Sequence, residues 1–176
     1  MQVGADLAAW MVAKELHIPF SGYIPYGYRT KYGALPERVR DGVVEHSSAE
    51  YKPRTYKNVE ISCATIRFAY DFQSAGEVCT LNAIKKYNKP HFDIDLFLLE
   101  TQDNLYSIDV PEFLFLHRVS VLNIAGNAGR TREESKHIYN LVRTALKSYI
   151  QLFGENYREN NVFVCGNLKG GFYEKR

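Results

Sequence analysis

The feature that most constrains the fold is the alternation of strand-like and helix-like segments along almost the whole chain. β-branched and aromatic residues fill Ala64–Tyr70, whereas apolar residues at helical spacing fill Glu133–Phe153. Alternation of this kind is typical of right-handed βαβ units, which place parallel strands side by side and cover them with helices. The pattern therefore predicts an α/β fold with a mostly parallel sheet flanked by helices.

Periodicity and turn residues place the elements along the chain. Helices are predicted at Val3–His17, Tyr56–Ile61, Val78–Tyr87, Pro111–Leu116 and Glu133–Phe153, and strands at Ile18–Pro25, Val43–His46, Ala64–Tyr70, His91–Leu98, Ser120–Ile124 and Asn161–Cys165. The length of 176 residues fits one domain. We expect a nucleotide-binding domain over residues 1–150 and an extension over residues 151–176 that adds one strand to the same domain.

Charge and composition exclude several classes of protein. Lys and Arg (22) nearly balance Asp and Glu (20), and the net charge of +2 is too small for a nucleic-acid binder that relies on phosphate neutralisation. No apolar stretch approaches the roughly 18 residues of a membrane span, and no secretory signal is visible. Cys63, Cys79 and Cys165 are widely spaced, as expected of buried free thiols. We therefore expect a cytoplasmic protein that binds neither nucleic acid nor membrane.

Ligands of parallel α/β folds bind beyond the carboxyl ends of the strands, so the loops near Gly4, Gly76 and Gly126 are candidate sites. In the loop over residues 72–80, small residues allow close approach to the backbone. Amides at the start of the next helix could bind phosphate there, with hydroxyls from Ser74 and Thr80. The alternative is a simple turn without a ligand.

Two other polar segments have both a functional and a structural interpretation. In the loop over residues 123–135, Arg130 and Arg132 could bind phosphate, or Thr131 could cap the next helix in a capping box with Glu134. The run over residues 48–58 mixes aromatic and basic residues. Its Arg54 and Asn58 could reach a ligand, or the run could be a solvated loop.

Catalytic and metal-binding patterns are weak in this chain. No Gly-x-Ser-x-Gly elbow, His-Glu-x-x-His motif, Gly-x-Gly-x-x-Gly motif or Walker sequence occurs. Asp93 and Asp95 lie on one face of a predicted strand and could bind a metal, but our expectation is a strand-end pair that faces water. We assign no catalytic residue and no metal ligand from these patterns.

Several short motifs occur in the order in which one protein family has them. They are Gly4-Ala5-Asp6, Ile18-Pro19-x-x-Gly22-x-x-Pro25-x-Gly27, Arg54-Thr55-x-x-Asn58-Val59, Ser74-Ala75-Gly76-x-x-x-Thr80, Leu122-Asn123-Ile124-Ala125-Gly126 and Glu134-Ser135. On these residues the chain resembles the molybdenum-carrier proteins. They form a circularly permuted, YpsA-like branch of the SLOG superfamily, which includes the lysine-decarboxylase-like proteins.

The resemblance implies a Rossmann-like three-layer sandwich that binds a phosphorylated, nucleotide-derived small molecule. The family name makes this ligand a molybdenum cofactor, and superfamily relatives are commonly dimers or larger, which implies a homo-oligomer. The implied ligand-binding residues are Gly4, Asp6, Arg54, Asn58, Ser74, Gly76, Thr80, Asn123, Gly126 and Ser135. Ser74, Gly76 and Thr80 would hold phosphate, while Arg54 and Asn58 would contact ribose or phosphate. Asp6 would accept a hydrogen bond from a sugar hydroxyl. Asn123, Gly126 and Ser135 would complete the far wall of the site.

The chain departs from the family pattern at two places. The first strand and the leading glycine pair are missing, for which there are three explanations. Met1 is internal to a longer natural protein, or Val162–Gly166 fills the vacant strand position and the glycine-rich tail replaces the phosphate loop, or this tail adds a strand at a sheet edge. The first explanation is our expectation. In addition, the helix start at residues 80–83 lacks the glutamate of nucleoside-phosphate hydrolases.

Three classes of function remain after this comparison. The first is a binding protein without turnover, which is our expectation because no carboxylate is obviously placed as a general acid or base. The second is a nucleotide N-glycosidic hydrolase, which would release base or ribose phosphate. The third is a sensor or sequestering protein for a nucleotide immune signal, which would bind its ligand tightly and leave it intact.

Overall fold

A computed structural model describes residues 4–30, 33–99, 106–127, 131–153 and 162–167 of the chain. In chain order the helices are α1 (Ala5–Glu15), α2 (Tyr51–Ile61), α3 (Ala75–Tyr87), α4 (Leu96–Leu99), α5 (Tyr106–Leu116) and α6 (Arg132–Phe153), and the strands are β1 (Phe20–Ile24), β2 (Arg29–Thr30), β3 (Gly33–Ala34), β4 (Val43–Glu45), β5 (Ala64–Ala69), β6 (His91–Asp95), β7 (Val121–Gly126) and β8 (Val162–Asn167). Short 3₁₀ turns at Tyr26–Tyr28 and Glu37–Val39 flank the β2–β3 hairpin.

The main sheet has six strands in the order β4-β1-β8-β7-β5-β6, and every pair in it is parallel. Strands β2 and β3 form a separate antiparallel hairpin. Since all six strands run the same way, their carboxyl ends lie along one edge of the sheet. The predicted α/β class with a parallel sheet is confirmed.

Helices cover both faces of the sheet and complete a Rossmann-like three-layer sandwich. Helices α1, α5 and α6 pack together on one face, and α2 and α3 pack together on the other. The largest buried cluster lies under α1, α5 and α6, where Ile66, Phe68 and Leu122 of the sheet contact the helices. All six residues of β5 are buried, as expected of a strand between two neighbours and two helical layers.

The strand predicted at Asn161–Cys165 is β8, and it lies inside the sheet between β1 and β7. The interpretation in which this strand extends a sheet edge is therefore wrong. The interpretation in which it fills the vacant position agrees with this topology, but the glycine-rich tail that follows lies outside the described residues. That residues 151–176 share the domain of residues 1–150 stays a proposal, which the pairing of β8 supports.

Several predicted boundaries are wrong, among them the start of α3 at Ala75 rather than Val78, and two others have a clear local reason. Helix α2 begins at Tyr51 rather than Tyr56, because Pro53 falls in the first turn, where a missing N–H costs no hydrogen bond. Strand β6 ends at Asp95, whose side chain accepts a hydrogen bond from the Phe97 amide and starts α4. Helix α5 begins at Tyr106 and carries Pro111 in its interior instead of starting there. Within the described ranges, no helix has the length and apolar character needed to cross a bilayer.

Candidate functional site

A cleft of about 880 Å³ opens at the carboxyl edge of the sheet. Its wall is built from the start of α1, strand β2, the first turns of α2 and α3, and the end of β7. Helices from both layers therefore meet here over the ends of the central strands. A cleft of this size lies within the range of small-molecule sites in proteins.

Eight of the ten residues predicted to bind a ligand lie in the wall of this cleft. They are Asp6, Arg54, Asn58, Ser74, Gly76, Thr80, Asn123 and Gly126. The fold thus brings together segments that are more than a hundred residues apart in the chain. The contacts of these residues with a ligand stay a prediction.

The other two predicted residues, Gly4 and Ser135, lie outside the wall that the described residues form. Gly4 is buried at the N-cap of α1, and its carbonyl accepts the first hydrogen bond of that helix. The hydroxyl of Ser135 donates to the Thr131 carbonyl at 2.9 Å, one turn earlier in the chain.

The Thr131 hydroxyl accepts from the Glu134 amide at 3.1 Å, which confirms Thr131 as a helix cap. Of the two arginines predicted to bind phosphate in this loop, Arg130 lies outside the described residues. Arg132 begins α6 and is not in the cleft wall that the described residues form.

The start of α3 is arranged as an anion site. Ser74 is the N-cap, but no side chain among the described residues caps this helix. The Ser74 hydroxyl instead accepts a hydrogen bond from the Asn127 side chain at 3.1 Å. The amides of the first turn of α3 therefore lie beside the cleft without a side-chain cap, at the positive end of the helix dipole.

Asn127 ties the end of β7 to the loop that precedes α3. Its side-chain oxygen accepts hydrogen bonds from the amides of Tyr70 at 3.0 Å and Asp71 at 2.9 Å, while its nitrogen donates to Ser74. One side chain thereby positions both loops that the sequence had predicted separately. Asn127 was not predicted as a site residue, although asparagine side chains commonly bind the backbone of turns.

Several of the predicted residues are held by the protein itself. The Asn58 side chain accepts from the Tyr23 amide at 3.0 Å and donates to the Tyr23 carbonyl at 3.3 Å. The Thr80 hydroxyl donates to a carbonyl one turn earlier at 3.0 Å, and the Asn123 side chain donates to the Thr65 hydroxyl at 3.2 Å. These three buried side chains hold the wall of the cleft in shape.

Asp6 and Arg54 join the two helical layers across the edge of the sheet. Arg54 Nη1 of α2 lies 3.5 Å from Asp6 Oδ2 of α1, and the two side chains are 12% and 6% exposed. Among the described residues no acceptor receives a hydrogen bond from Arg54 Nε. The guanidinium therefore lies in the cleft wall with a donor group that no described residue satisfies.

Arg67 is a buried cation on β5, the strand beside the edge strand β6. It lies opposite Asp93 in the register of β5 and β6, and its Nε donates to Asp93 Oδ1 at 2.8 Å while Nη2 donates to Asp93 Oδ2. The remaining nitrogen, Nη1, donates to the Glu77 carbonyl at 3.3 Å and lies 3.7 Å from Glu77 Oε2. Arg67 thus connects β5, β6 and the first turn of α3.

Glu77 is the most perturbed acid of the cleft. It is 3% exposed and lies in the wall beside Ser74 and Gly76. The pKa of its carboxyl is raised from 4.5 to about 7, mainly by burial; Arg67 opposes this shift and nearby carboxylates add to it. Acids with such a pKa in a cleft are frequently functional.

Glu77 was not among the predicted site residues, although two signals pointed to it. Arg67 is a charge inside an otherwise apolar strand, and a buried charge requires a partner. Ser74 and Glu77 also have the spacing of a capping box, in which the glutamate returns to the amide of the cap. In the structure the Ser74 amide donates to the Asp71 carbonyl instead, and the Glu77 carboxyl lies against Arg67.

The metal-binding interpretation of Asp93 and Asp95 finds no support in their contacts. Asp93 is the ion-pair partner of Arg67, and Asp95 accepts a hydrogen bond at the start of α4. In the part of the chain that the structure describes, no three His, Cys, Asp or Glu side chains are grouped as a metal site requires.

Comparisons with known proteins decide the family. The profile of the circularly permutated YpsA SLOG family matches residues 1–150 of this chain. The chain belongs to that family. The resemblance inferred from the short motifs is thereby confirmed.

A solved structure has the same fold as this member of the SLOG family. It is the crystal structure of a "Putative molybdenum carrier protein" from Syntrophus aciditrophicus SB, at 1.45 Å resolution. The two chains are 28% identical and superpose with a TM-score of 0.69, over 85% of this chain and 90% of the other. No curated protein matches the chain.

Proposed function

We propose that the protein binds a phosphorylated, nucleotide-derived small molecule in the cleft at the carboxyl edge of the sheet. The observation that carries this proposal is the first turn of α3, which has no side-chain cap and borders the cleft. Arg29, Lys52 and Arg54 lie in the same wall. Helix N-termini and arginine side chains are the groups that bind phosphate most effectively in proteins.

The name of the solved relative supports a more specific ligand. That protein is named as a molybdenum carrier, and we propose that this chain likewise carries a molybdenum cofactor as cargo. In such a complex the phosphate would lie at Ser74, Gly76 and Thr80. Arg54 and Asn58 would contact phosphate or sugar, and Asp6 would accept a hydrogen bond from a hydroxyl.

Gly76→Leu is expected to abolish binding of this ligand while the protein stays folded. An added Cβ at Gly76 meets no atom within 4 Å, so a leucine would extend into the space that the phosphate requires. Native mass spectrometry of the purified protein identifies the small molecule that it retains. Calorimetry with that molecule, or with AMP and ADP-ribose, then compares the variant with the wild type.

Val78→Leu is the matched control for this experiment. Val78 lies on the same helix and is partly exposed, but it is not in the cleft wall that the described residues form. We expect the wild-type dissociation constant for this control. Equal affinity of Gly76→Leu and the wild type would show that α3 does not hold the phosphate.

Arg54→Ala is expected to weaken binding by ~1.5–3 kcal/mol, or about tenfold to a hundredfold, because a charge-assisted hydrogen bond is lost. Arg54→Lys keeps the charge without the planar fork and should bind with intermediate affinity. Thermal unfolding of both variants checks the fold, because Asp6 loses its ion-pair partner in the alanine variant. An unaltered dissociation constant for the alanine variant would remove Arg54 from the proposed site.

A nucleotide N-glycosidic hydrolase is the second candidate, and Glu77 is the observation that favours it. A buried carboxyl with a pKa of about 7 could exchange a proton with water or a leaving base near neutral pH. Release of base or ribose phosphate from AMP would identify this activity. Saturable binding without release would favour the carrier, and tight retention of an intact cyclic or ADP-ribose-type signal would favour a sensor or sequestering protein.

We also propose that the protein works in the cytoplasm as a homo-oligomer. The family resemblance supports association of subunits. The described cysteines Cys63 and Cys79 are free thiols, as is common in a reducing compartment, although they are half-buried and not fully buried as predicted. Analytical ultracentrifugation of the purified chain measures the state of association directly.

A further inference from the structure

Glu77 lies in the cleft wall and has a carboxyl oxygen without a hydrogen-bond partner in the part of the chain that the structure describes. Oε2 has no hydrogen-bond partner among the described residues, although the side chain is only 3% exposed. The nearest cation, Arg67 Nη1, is 3.7 Å away and donates instead to the Glu77 carbonyl. The other side-chain donors of Arg67 bind Asp93. A ligand in the cleft can therefore supply the missing hydrogen-bond partner of the Glu77 carboxyl.

The charges that face Glu77 come from each element packed around it. They are Arg67 of β5, Asp93 of β6, Asp71 of the loop before α3 and Asp6 of α1, which is itself paired with Arg54 of α2. Three carboxylates thus surround Glu77, and the guanidinium beside it is shared with Asp93. Together with burial, which is the larger cause, these carboxylates raise the pKa of Glu77 to about 7.

We propose that Glu77 binds the ligand as a carboxylic acid, so that in alkaline solution each oxyanion enters the cleft beside α3 together with one proton. This inference rests on the proposed function, since it requires an anion in the same cleft. It adds a residue to the binding site and specifies its chemical state. The Glu77 O–H donates to an oxygen of the anion, and no covalent bond is made or broken.

The protonated form of Glu77 is favoured in the complex because the ionised carboxyl and the ligand would both carry negative charge. An ionised Glu77 would be one more anion beside the ligand, in a site of low dielectric where repulsion is strong. The protonated form removes this repulsion and supplies a charge-assisted hydrogen bond, which is stronger than a neutral one. Above pH 7 the proton must be taken from solvent, so the affinity falls as the pH rises.

Sulfate is a suitable probe because its charge does not change between pH 6 and pH 8.5. Its affinity is measured from the NMR shifts of the α3 amides in the wild type, in Glu77→Gln and in Gly76→Leu. We expect wild-type binding to be about thirtyfold weaker at pH 8.5 than at pH 6, the factor that follows from a pKa near 7. Glu77→Gln keeps a donor that does not titrate, so its affinity should be nearly equal at both pH values. Gly76→Leu should not bind at either.

The outcomes separate this inference from the function on which it rests. Equal wild-type affinity at both pH values would overturn the role of Glu77 and leave anion binding in the cleft intact. A pH dependence that persists in Glu77→Gln would assign it to another group. Absence of sulfate binding at both pH values would overturn the inference and the phosphate site together. A carboxyl ¹³C titration of Glu77 in the wild type, with and without sulfate, tests the same proton without a substitution.

Discussion

Replacement of Arg67 by methionine is expected to lower the free energy of unfolding by about 3–5 kcal/mol at pH 8, the typical cost of removing one partner of a buried ion pair. The guanidinium is 2% exposed and forms hydrogen bonds with the Asp93 side chain and the Glu77 carbonyl. Without it, two carboxylates remain beside an apolar side chain. Urea unfolding at equilibrium measures the loss.

The pH dependence of this loss identifies its cause. Because the pKa of Glu77 is raised to about 7, the folded protein keeps a proton at pH 5 that it loses as the pH passes through 7. Arg67 lowers the pKa of Glu77, so without it this carboxyl must at pH 8 either stay ionised beside methionine or take up a proton, and both cost free energy. At pH 5 Glu77 is protonated with or without Arg67, and we therefore expect the smaller loss at pH 5.

Two further variants serve as controls for the Arg67 cluster. Asp93→Asn should cost less than Arg67→Met, because Arg67 keeps the Glu77 carboxylate beside it at pH 8 and an asparagine oxygen can still accept a hydrogen bond from its guanidinium. The double variant Arg67→Met with Glu77→Gln should recover part of the stability at pH 8, since it removes one of the two uncompensated charges. A loss for Arg67→Met below about 1 kcal/mol at pH 8 would mean that the pair contributes no more than a surface salt bridge.

Gly126→Ala is expected to destabilise the protein by about 3 kcal/mol or more, through overpacking against atoms that cannot rotate away. A Cβ at Gly126 would lie 2.0 Å from the Phe68 carbonyl oxygen and 2.9 Å from the Phe68 carbonyl carbon. The φ angle of +155° is also one that residues with a side chain rarely adopt. Strand β7 would have to move away from β5 at the end that borders the cleft.

Gly76→Ala is the matched control, because it is the same substitution in the wall of the same cleft. Its Cβ would meet no atom within 4 Å, and the residue lies in a helix. We expect an unchanged or slightly higher free energy of unfolding, by up to ~1 kcal/mol, because alanine restricts the unfolded chain. Thermal and urea unfolding of both variants test the contrast. A Gly126→Ala protein as stable as the wild type would show that β7 and β5 are not held at this distance.

The fold could be predicted largely from local patterns. β-branched and aromatic residues in Ala64–Tyr70 predict a strand that is buried on both faces. The amphipathic period of Glu133–Phe153 predicts a helix with one face against a hydrophobic layer. The ends of helices and strands were less predictable where a residue typical of one kind of element takes part in another. Pro53 resembles a loop residue and yet lies in the first turn of α2, and Asp95 ends a strand by capping a helix.

The individual segments of the candidate site could be predicted from the sequence, but the side-chain contacts between these segments could not. Small residues after a strand predicted the loop before α3, which does border the cleft. The sequence could not show that Asn127 binds the Ser74 side chain, since the two lie on different loops. Nor could it show that Glu77, at a capping-box position, lies against Arg67 instead.

By itself, then, the chain determined its alternating elements, its parallel sheet and the motifs that place it in the SLOG family, because these depend on residues close together in sequence. Only the tertiary structure decided that β8 enters the middle of the sheet and that Glu77 becomes a buried acid in the cleft. The reason is that burial and charge are set by neighbours from distant segments. Asp6, Arg67 and Asp93 act on Glu77 only once four separate elements have packed together.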